Sequence, residues 1–340
     1  MSYRTGIPYC TSTLNVVAGC GKRSPGCANC WALATAYRLQ QAGHPDYAGT
    51  VERRPDGHLE WTGLIRPLPH RLDDLGRWRR PRTIFVSSMG DLFDPAVPMD
   101  FRLEVIGRCL LEGAHHRYLF LTKEPQEMLD TILLAYSGYE LSASPAHILW
   151  GVTVEDAEHA RKRLPILFRI PGRRWVSYEP ALGPVDWARW LWDEDAVQNA
   201  RLGRDGEDLA ECEHCGGEGD VDYFDHPELW DEDCPSQVDD LHTCPSCGGS
   251  GIDHDWLRTV RYRHRRCDWL VMGCESGPLR RVPPDLWAWA RDAARACAAA
   301  RIPFYLKQLP SSPEGGPVVQ HPRCLGKPFT ETPWVEDGVQ

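Results

Sequence analysis

Residues 148–163 read ILWGVTVEDAEHARKR, and this stretch decides the fold class. Ile148–Val154 is apolar or β-branched at nearly every position, with no alternation of polar and apolar residues. Such a run suits a strand buried on both faces of a parallel sheet. Glu155 follows, and Asp156 opens a helical stretch to Arg163 as a natural N-cap. Strand, polar residue and helix thus form one βα unit. The pattern recurs on both sides of it. Strands are expected at Leu14–Val17, Thr83–Val86, Tyr118–Leu121, Arg174–Ser177, Trp269–Met272 and Pro303–Leu306. The clearest further helices are Trp31–Gln41, Met99–Glu112 and Pro284–Ala300. Alternation of this kind indicates an α/β protein. Seven strands without a Gly-rich dinucleotide fingerprint favour a full or partial (β/α) barrel over a doubly wound sheet.

Polar residues repeat just past these strands. Asp91 follows FVSSMG, Lys123 follows LFLT, Glu155 follows GVTV and Glu179 follows WVSY. Glu275 and Ser276 follow VMGC, and Lys307 and Gln308 follow FYL. A single charge at a strand end simply meets solvent. Six charged positions in the same placement converge on the C-terminal face of a parallel barrel, where active sites are built.

GCGKRSPGCANCWA places Cys20, Cys27 and Cys30 in a C-x6-C-x2-C pattern directly after the first strand. Three clustered thiolates hold three irons of a [4Fe–4S] cluster. The fourth iron is then open to the amino and carboxylate groups of S-adenosylmethionine (SAM). One electron from the cluster cleaves the sulfonium and releases a 5′-deoxyadenosyl radical. The spacing also fits zinc, with Cys10 or a His as fourth ligand.

Seven blocks in order carry a family resemblance over almost the whole chain outside residues 193–262. They are STLNVVAGCGKRSPGCANCWA, IFVSSMGDLF, FLTKEPQEM, LWGVTVEDAEHARKRLPIL, WVSYEPALGPVDW, DWLVMGCESGP and PFYLKQL. Together they resemble a widespread, functionally uncharacterised phage-protein family with a three-cysteine motif, itself similar to radical SAM proteins. The resemblance implies a barrel of the radical SAM type, a [4Fe–4S] cluster, bound SAM and a partner protein that supplies the electron. It makes Cys20, Cys27 and Cys30 the cluster ligands. Glu155 falls where radical SAM proteins often place a side chain for the SAM ribose, and Asp91 joins it among cofactor-binding residues. Lys123 and Lys307 then face the SAM carboxylate or an anionic substrate, with Glu179 and Glu275 beside them as catalytic residues. The sequence departs from the family at Trp31, where Tyr is usual, at Leu14, where Trp is common, and at Cys274, where a second Gly is expected.

Residues 193–262 break the strand–helix rhythm. Between Asp193 and Asp255 stand 20 Asp and Glu against two Arg, so a mildly basic body carries a strongly acidic insertion. CEHCGGEGD and CPSCGGSG place Cys212, Cys215, Cys244 and Cys247 in two C-x2-C-G-G-x-G knuckles. Gly after each second Cys lets backbone amides turn toward the thiolates. Four thiolates make a closed, structural zinc site. The knuckles resemble those of the zinc-binding region of DnaJ-type chaperones. Cys234, His214 and His242 are spare donors nearby. The expected organisation is a barrel of residues 1–192 and 263–340 with a zinc-binding insertion at 193–262.

The chain of 340 residues has 42% hydrophobic and 25% charged residues, ordinary globular values. Its apolar runs fall short of the roughly 18 residues of a membrane span, and its start lacks the order of a secretory signal. Fourteen cysteines at metal-ligand spacings in such a chain argue against a secreted disulfide scaffold. The expected location is cytoplasmic. Three functions compete. The first is a radical SAM enzyme acting on a nucleotide, nucleic acid or other polar substrate. The second is a zinc-stabilised barrel that binds nucleic acid without redox chemistry. The third is a metal-free hydrolase using Glu155, Glu179 or Glu275 as general acid or base. Lys22, Arg23, Arg77, Arg79, Arg80 and Arg82, with Trp78 among them, form the kind of basic and aromatic surface that suits nucleic acid.

Overall fold

The structure is a computed structural model, and it describes residues 5–201, 220–222, 241–243, 254–276 and 280–334. The chain divides into two compact units, Met1–Asp186 with Cys267–Ala294 and Pro303–Gln340, and Trp187–Arg266 with Arg295–Ile302.

The larger unit carries an eight-stranded sheet. Its strands are β1 (Ser12–Leu14), β2 (Thr83–Val86), β3 (Arg117–Thr122), β4 (Ile148–Thr153), β5 (Arg174–Tyr178), β6 (Trp269–Gly273), β7 (Phe304–Ser312) and β8 (Gly315–Gln320). They lie side by side in chain order. The first seven are parallel, and β8 returns antiparallel on β7 as a hairpin. Right-handed crossovers between strands in sequential order send successive helices to one face of the sheet. The helices α1 (Trp31–Gln41), α2 (Met99–Leu111), α3 (Pro125–Gly138), α4 (Ala157–Leu167) and α5 (Leu286–Ala299) include those crossovers. Helix α2 packs on α3, α3 on α4, and α4 on β4. Among the described residues no helix is long and apolar enough to cross a membrane.

The opposite face is filled by every second residue of the strands. Phe85, Leu119, Leu149, Trp175, Trp269, Val271 and Tyr305 form one buried cluster with Tyr9, Cys10 and Trp334. Trp175 and Trp269 stack at 5.3 Å between ring centres, and Tyr9 meets Trp269 and Tyr305 edge-on at 5.4 and 5.3 Å. Gly151 in β4 makes room for the Trp175 indole, since a Cβ there would collide with Trp175 Nε1. That nitrogen donates to the Phe120 carbonyl at 2.9 Å, which satisfies the one polar atom of a fully buried indole.

Three expectations change. The first strand ends at Leu14 rather than Val17. The chain turns at Asn15, whose side-chain oxygen accepts from Ser88 N and Oγ at 2.9 and 3.1 Å. Val17–Ala18 then pairs antiparallel with Arg66–Pro67. The last parallel strand runs on to Ser312 and gains β8, whose Gly and Pro residues mask its strand character. The sheet has two edges, β1 and β8, and among the described residues no pairing joins them. A fully closed barrel is therefore not what the pairing records.

In the smaller unit, helices Glu194–Arg201 and His254–Arg263 pack together. Asp193 and Arg266 form an ion pair at 2.9 Å, and Asp220–Asp222 pairs antiparallel with Leu241–Thr243. The knuckle residues Cys212, Cys215, Cys244 and Cys247, with Cys234 and His214, lie outside the described residues.

Candidate functional site

Inward positions of the strands change character toward their C-terminal ends. Phe85 gives way to Ser87, Leu119 to Leu121 and Lys123, and Trp175 to Ser177 and Glu179. Likewise Val271 gives way to Gly273 and Glu275, and Tyr305 to Lys307. Large apolar side chains fill one end of the sheet and small or polar ones leave space at the other. That space is a cavity of about 250 Å³, lined by Cys20, Cys27 and Cys30 together with Asp91, Lys123, Glu179, Glu275 and Lys307. Ser276 and Gln308 line it too. Gln308 is otherwise engaged, donating to the Cys274 carbonyl at 2.7 Å and accepting from Gln320 at 2.8 Å.

The cysteine loop leaves the Val17–Ala18 pairing through Gly19, whose φ of 88° favours glycine. It makes a short turn at Pro25–Cys27 and enters α1 right after Cys30. Glu155 lies beneath it with no solvent exposure. Its Oε1 accepts from Ser24 Oγ at 2.5 Å and from Lys123 Nζ, and its Oε2 accepts from the Gly26 amide at 3.2 Å. The loop and the carboxylate sit so close that a Cβ on Gly26 would collide with Glu155 Oε1. Burial alone would raise the Glu155 carboxyl, but the Lys123 ammonium and three donated hydrogen bonds hold it below the usual carboxylate range. Lys123 also donates to Ser24 Oγ at 2.8 Å and to Cys27 Sγ at 3.4 Å.

The three thiols differ. Burial raises the Cys27 thiol, yet Lys123 and the Arg23 amide outweigh it, so its affinity for the proton falls below the ordinary value. Burial pushes Cys20 up, with the Asp91 carboxylate and the other two thiols adding to it. Cys30 is likewise raised by burial. Among the described residues no three His, Cys, Asp or Glu side chains gather as ligands of a single ion. Cys10, the alternative fourth zinc ligand, sits in the aromatic cluster, where burial pushes its thiol to about 12.

Two further ties clamp the loop. Glu275 accepts from Asn29 Nδ2 at 3.0 Å and from the Arg281 amide and guanidinium, and Arg281 Nη2 reaches the Pro25 carbonyl at 2.8 Å. Burial raises the Glu275 carboxyl, and Arg281 more than reverses this. Arg23 pairs with Asp94 at 2.7 Å and Glu124 at 2.9 Å. Across the cavity, Glu179 accepts from Lys307 Nζ at 2.9 Å and from Tyr9 Oη at 3.2 Å. Asp91 accepts from Thr122 Oγ1 at 2.8 Å and from the Phe93 and Lys123 amides, each at 3.0 Å. Its burial nevertheless raises its carboxyl.

The sequence-predicted residues thus gather around one cavity, except that Glu155 is buried under the loop instead of on the cavity wall. Nor does Glu155 cap α4, because Asp156 does so, accepting from the His159 amide at 2.9 Å. Tyr9, Ser24, Gly26, Asn29 and Arg281 were not singled out in the sequence. Ser24 and Gly26 stand inside the cysteine motif, which is the one signal that could have flagged them. The basic set divides: Arg23 lines the cavity, whereas Arg77, Arg79, Arg80 and Arg82 precede β2, at the opposite end of the strands from it.

Fold and site define an α/β protein with a three-cysteine loop held over the C-terminal ends of sequentially ordered parallel strands. The chain belongs to the family described as "Protein of unknown function (DUF5131)", which matches residues 4–324. No curated protein and no solved structure matches it.

Proposed function

We propose that this protein is a radical SAM-type enzyme built on a partial (β/α) barrel, with Cys20, Cys27 and Cys30 as ligands of a [4Fe–4S] cluster. The observation that carries the reading is the meeting of three thiols on one cavity with Asp91, Lys123, Glu179, Glu275 and Lys307. When bound there, the cluster and SAM would supply reductive sulfonium cleavage and a carbon-centred radical. The chain's own residues do the rest. Lys123 and the Arg23 amide favour the anionic form of the Cys27 sulfur, the form that ligates metal. Glu155, Glu275 and Arg281 fix the loop that bears the thiols. Glu179, Lys307 and Tyr9 hold protons on the opposite side, where a substrate would lie. The electron would come from a reductant protein in a reducing, cytoplasmic setting. Cys212, Cys215, Cys244 and Cys247 would staple the acidic insertion with structural zinc.

Anaerobic reconstitution with iron and sulfide tests the reading. A brown, EPR-active protein that releases 5′-deoxyadenosine from SAM under reductant is expected. Full iron content after triple replacement of Cys20, Cys27 and Cys30 by Ala would overturn it.

A further inference from the structure

Ser87 stands apart from every other polar side chain on the cavity wall. It is 4% exposed, and its hydroxyl is buried without a hydrogen-bond partner. Its φ of 60° is in the left-handed region that a serine adopts at a cost. A strained residue with an orphaned hydroxyl lining a cavity is the pattern of a position kept for a ligand.

The charges around it narrow the class of that ligand. Lys123 is paired with Glu155, Lys307 with Glu179, and Glu275 with Arg281. Asp91 is met by one hydroxyl and two amides. Arg23, the other cation on the wall, already holds Asp94 and Glu124, so a phosphate or carboxylate would have to break one of these pairs to find a counter-charge. A neutral group with both donors and acceptors would not, since the Ser87 hydroxyl serves as either. The remaining wall mixes apolar groups with the polar Asn29, Ser88, Thr153 and Ser177. Ile7, Phe85, Leu121 and Trp61 line the cavity, and Trp31 stands half exposed among them. A half-exposed indole on the wall of the same cavity suits stacking against a planar ring.

We infer that the Ser87 side of the cavity binds a neutral, planar heteroaromatic ring of nucleobase type, as the substrate of the site. Beside the proposed function this names a substrate class, and it rests on that reading only for what happens to the ring afterwards.

The test uses the full-length protein and the four common ribonucleosides as probes, followed by calorimetry and Trp fluorescence. At least one nucleoside should bind, while ribose alone should not. Ser87→Ala keeps the strained backbone and removes the hydroxyl, and should weaken binding about five-fold. Trp31→Leu should weaken it about ten-fold or more. Ser87→Gly guards against a folding defect: it should raise Tm by about 2 °C by relieving the strain, yet lose the same affinity. Binding should persist when Cys20, Cys27 and Cys30 are all Ala, which separates this inference from the cluster assignment. Equal affinity for ribose, or unchanged affinity in both Ser87 variants, would overturn it. Competition between the nucleoside and SAM in the reconstituted protein would also overturn it, by making the pocket part of the cofactor's own seat.

Discussion

Replacing Glu155 by Gln tests how the cysteine loop is held. Glu155 has no exposed surface, and its side chain takes hydrogen bonds from Ser24, Gly26 and Lys123. The amide keeps the shape, loses the charge, and leaves the Lys123 ammonium buried without its counter-ion. Removing one partner of a buried pair costs about 3–5 kcal/mol. The Lys123 side chain retains 18% exposure, so water offsets part of this and about 3 kcal/mol is expected. Urea unfolding of the metal-free protein, followed through the sheet tryptophans, measures that loss. The loop that presents Cys27 should loosen as well, so iron uptake on anaerobic reconstitution should fall. Adding Lys123→Met should recover part of the stability, because the second charge then no longer lacks a partner. If Glu155→Gln unfolds at the wild-type midpoint and takes up a full complement of iron, the clamp is not what holds the loop.

Three further outcomes are expected. Gly151→Ala should destabilise the sheet by about 1–3 kcal/mol, since its methyl would displace the Trp175 indole; near-ultraviolet circular dichroism and urea midpoints check this. His116 is 1% exposed, and burial, then His115 and Arg82, lower its pKa to about 4. An unfolded histidine titrates near 6.5, so the stability of the neutral form is present above that value and is lost as the pH falls toward 4. Going from pH 7 to pH 5 should cost about 2 kcal/mol that a His116→Phe variant does not lose, as paired urea titrations would reveal. Changing Cys212 and Cys215 to Ser should release zinc and expose residues 193–262 to protease while the sheet's unfolding midpoint stays put; collapse of the whole protein would show that the insertion does not fold on its own.

The sheet was legible in the sequence because buried parallel strands write an unbroken apolar run, as Ile148–Val154 does. The strand-end polar residues were legible for the same reason, since Lys123, Glu155, Glu179 and Lys307 stand one or two positions past such a run, Glu275 three and Asp91 five. Edges were harder to read. Ser12–Leu14 is followed by two more apolar residues, Val16 and Val17, that are buried outside the main sheet. The helix read as ending at Arg163 continues to Leu167 through Pro165, because packing on β4 overrides the missing hydrogen bond. The role of Glu155 was hidden most deeply. Its partners Ser24 and Gly26 lie 131 and 129 positions away, and no local pattern announces a bond across that distance. Tyr9 and Arg281 escaped for the same reason.

That distance also sets an order of events during synthesis. The loop with Cys20, Cys27 and Cys30 leaves the ribosome early, but Asn29 waits for Glu275, 246 positions later. At roughly 5–20 residues per second, this interval is about 12–50 s. For about the first half of it Glu155 has not been made, and throughout it the Glu275 clamp is missing. Under the proposed function, cluster loading therefore belongs after the sixth strand is in place, and any oxidant or stray zinc ion that reaches the motif first would compete with the fold itself.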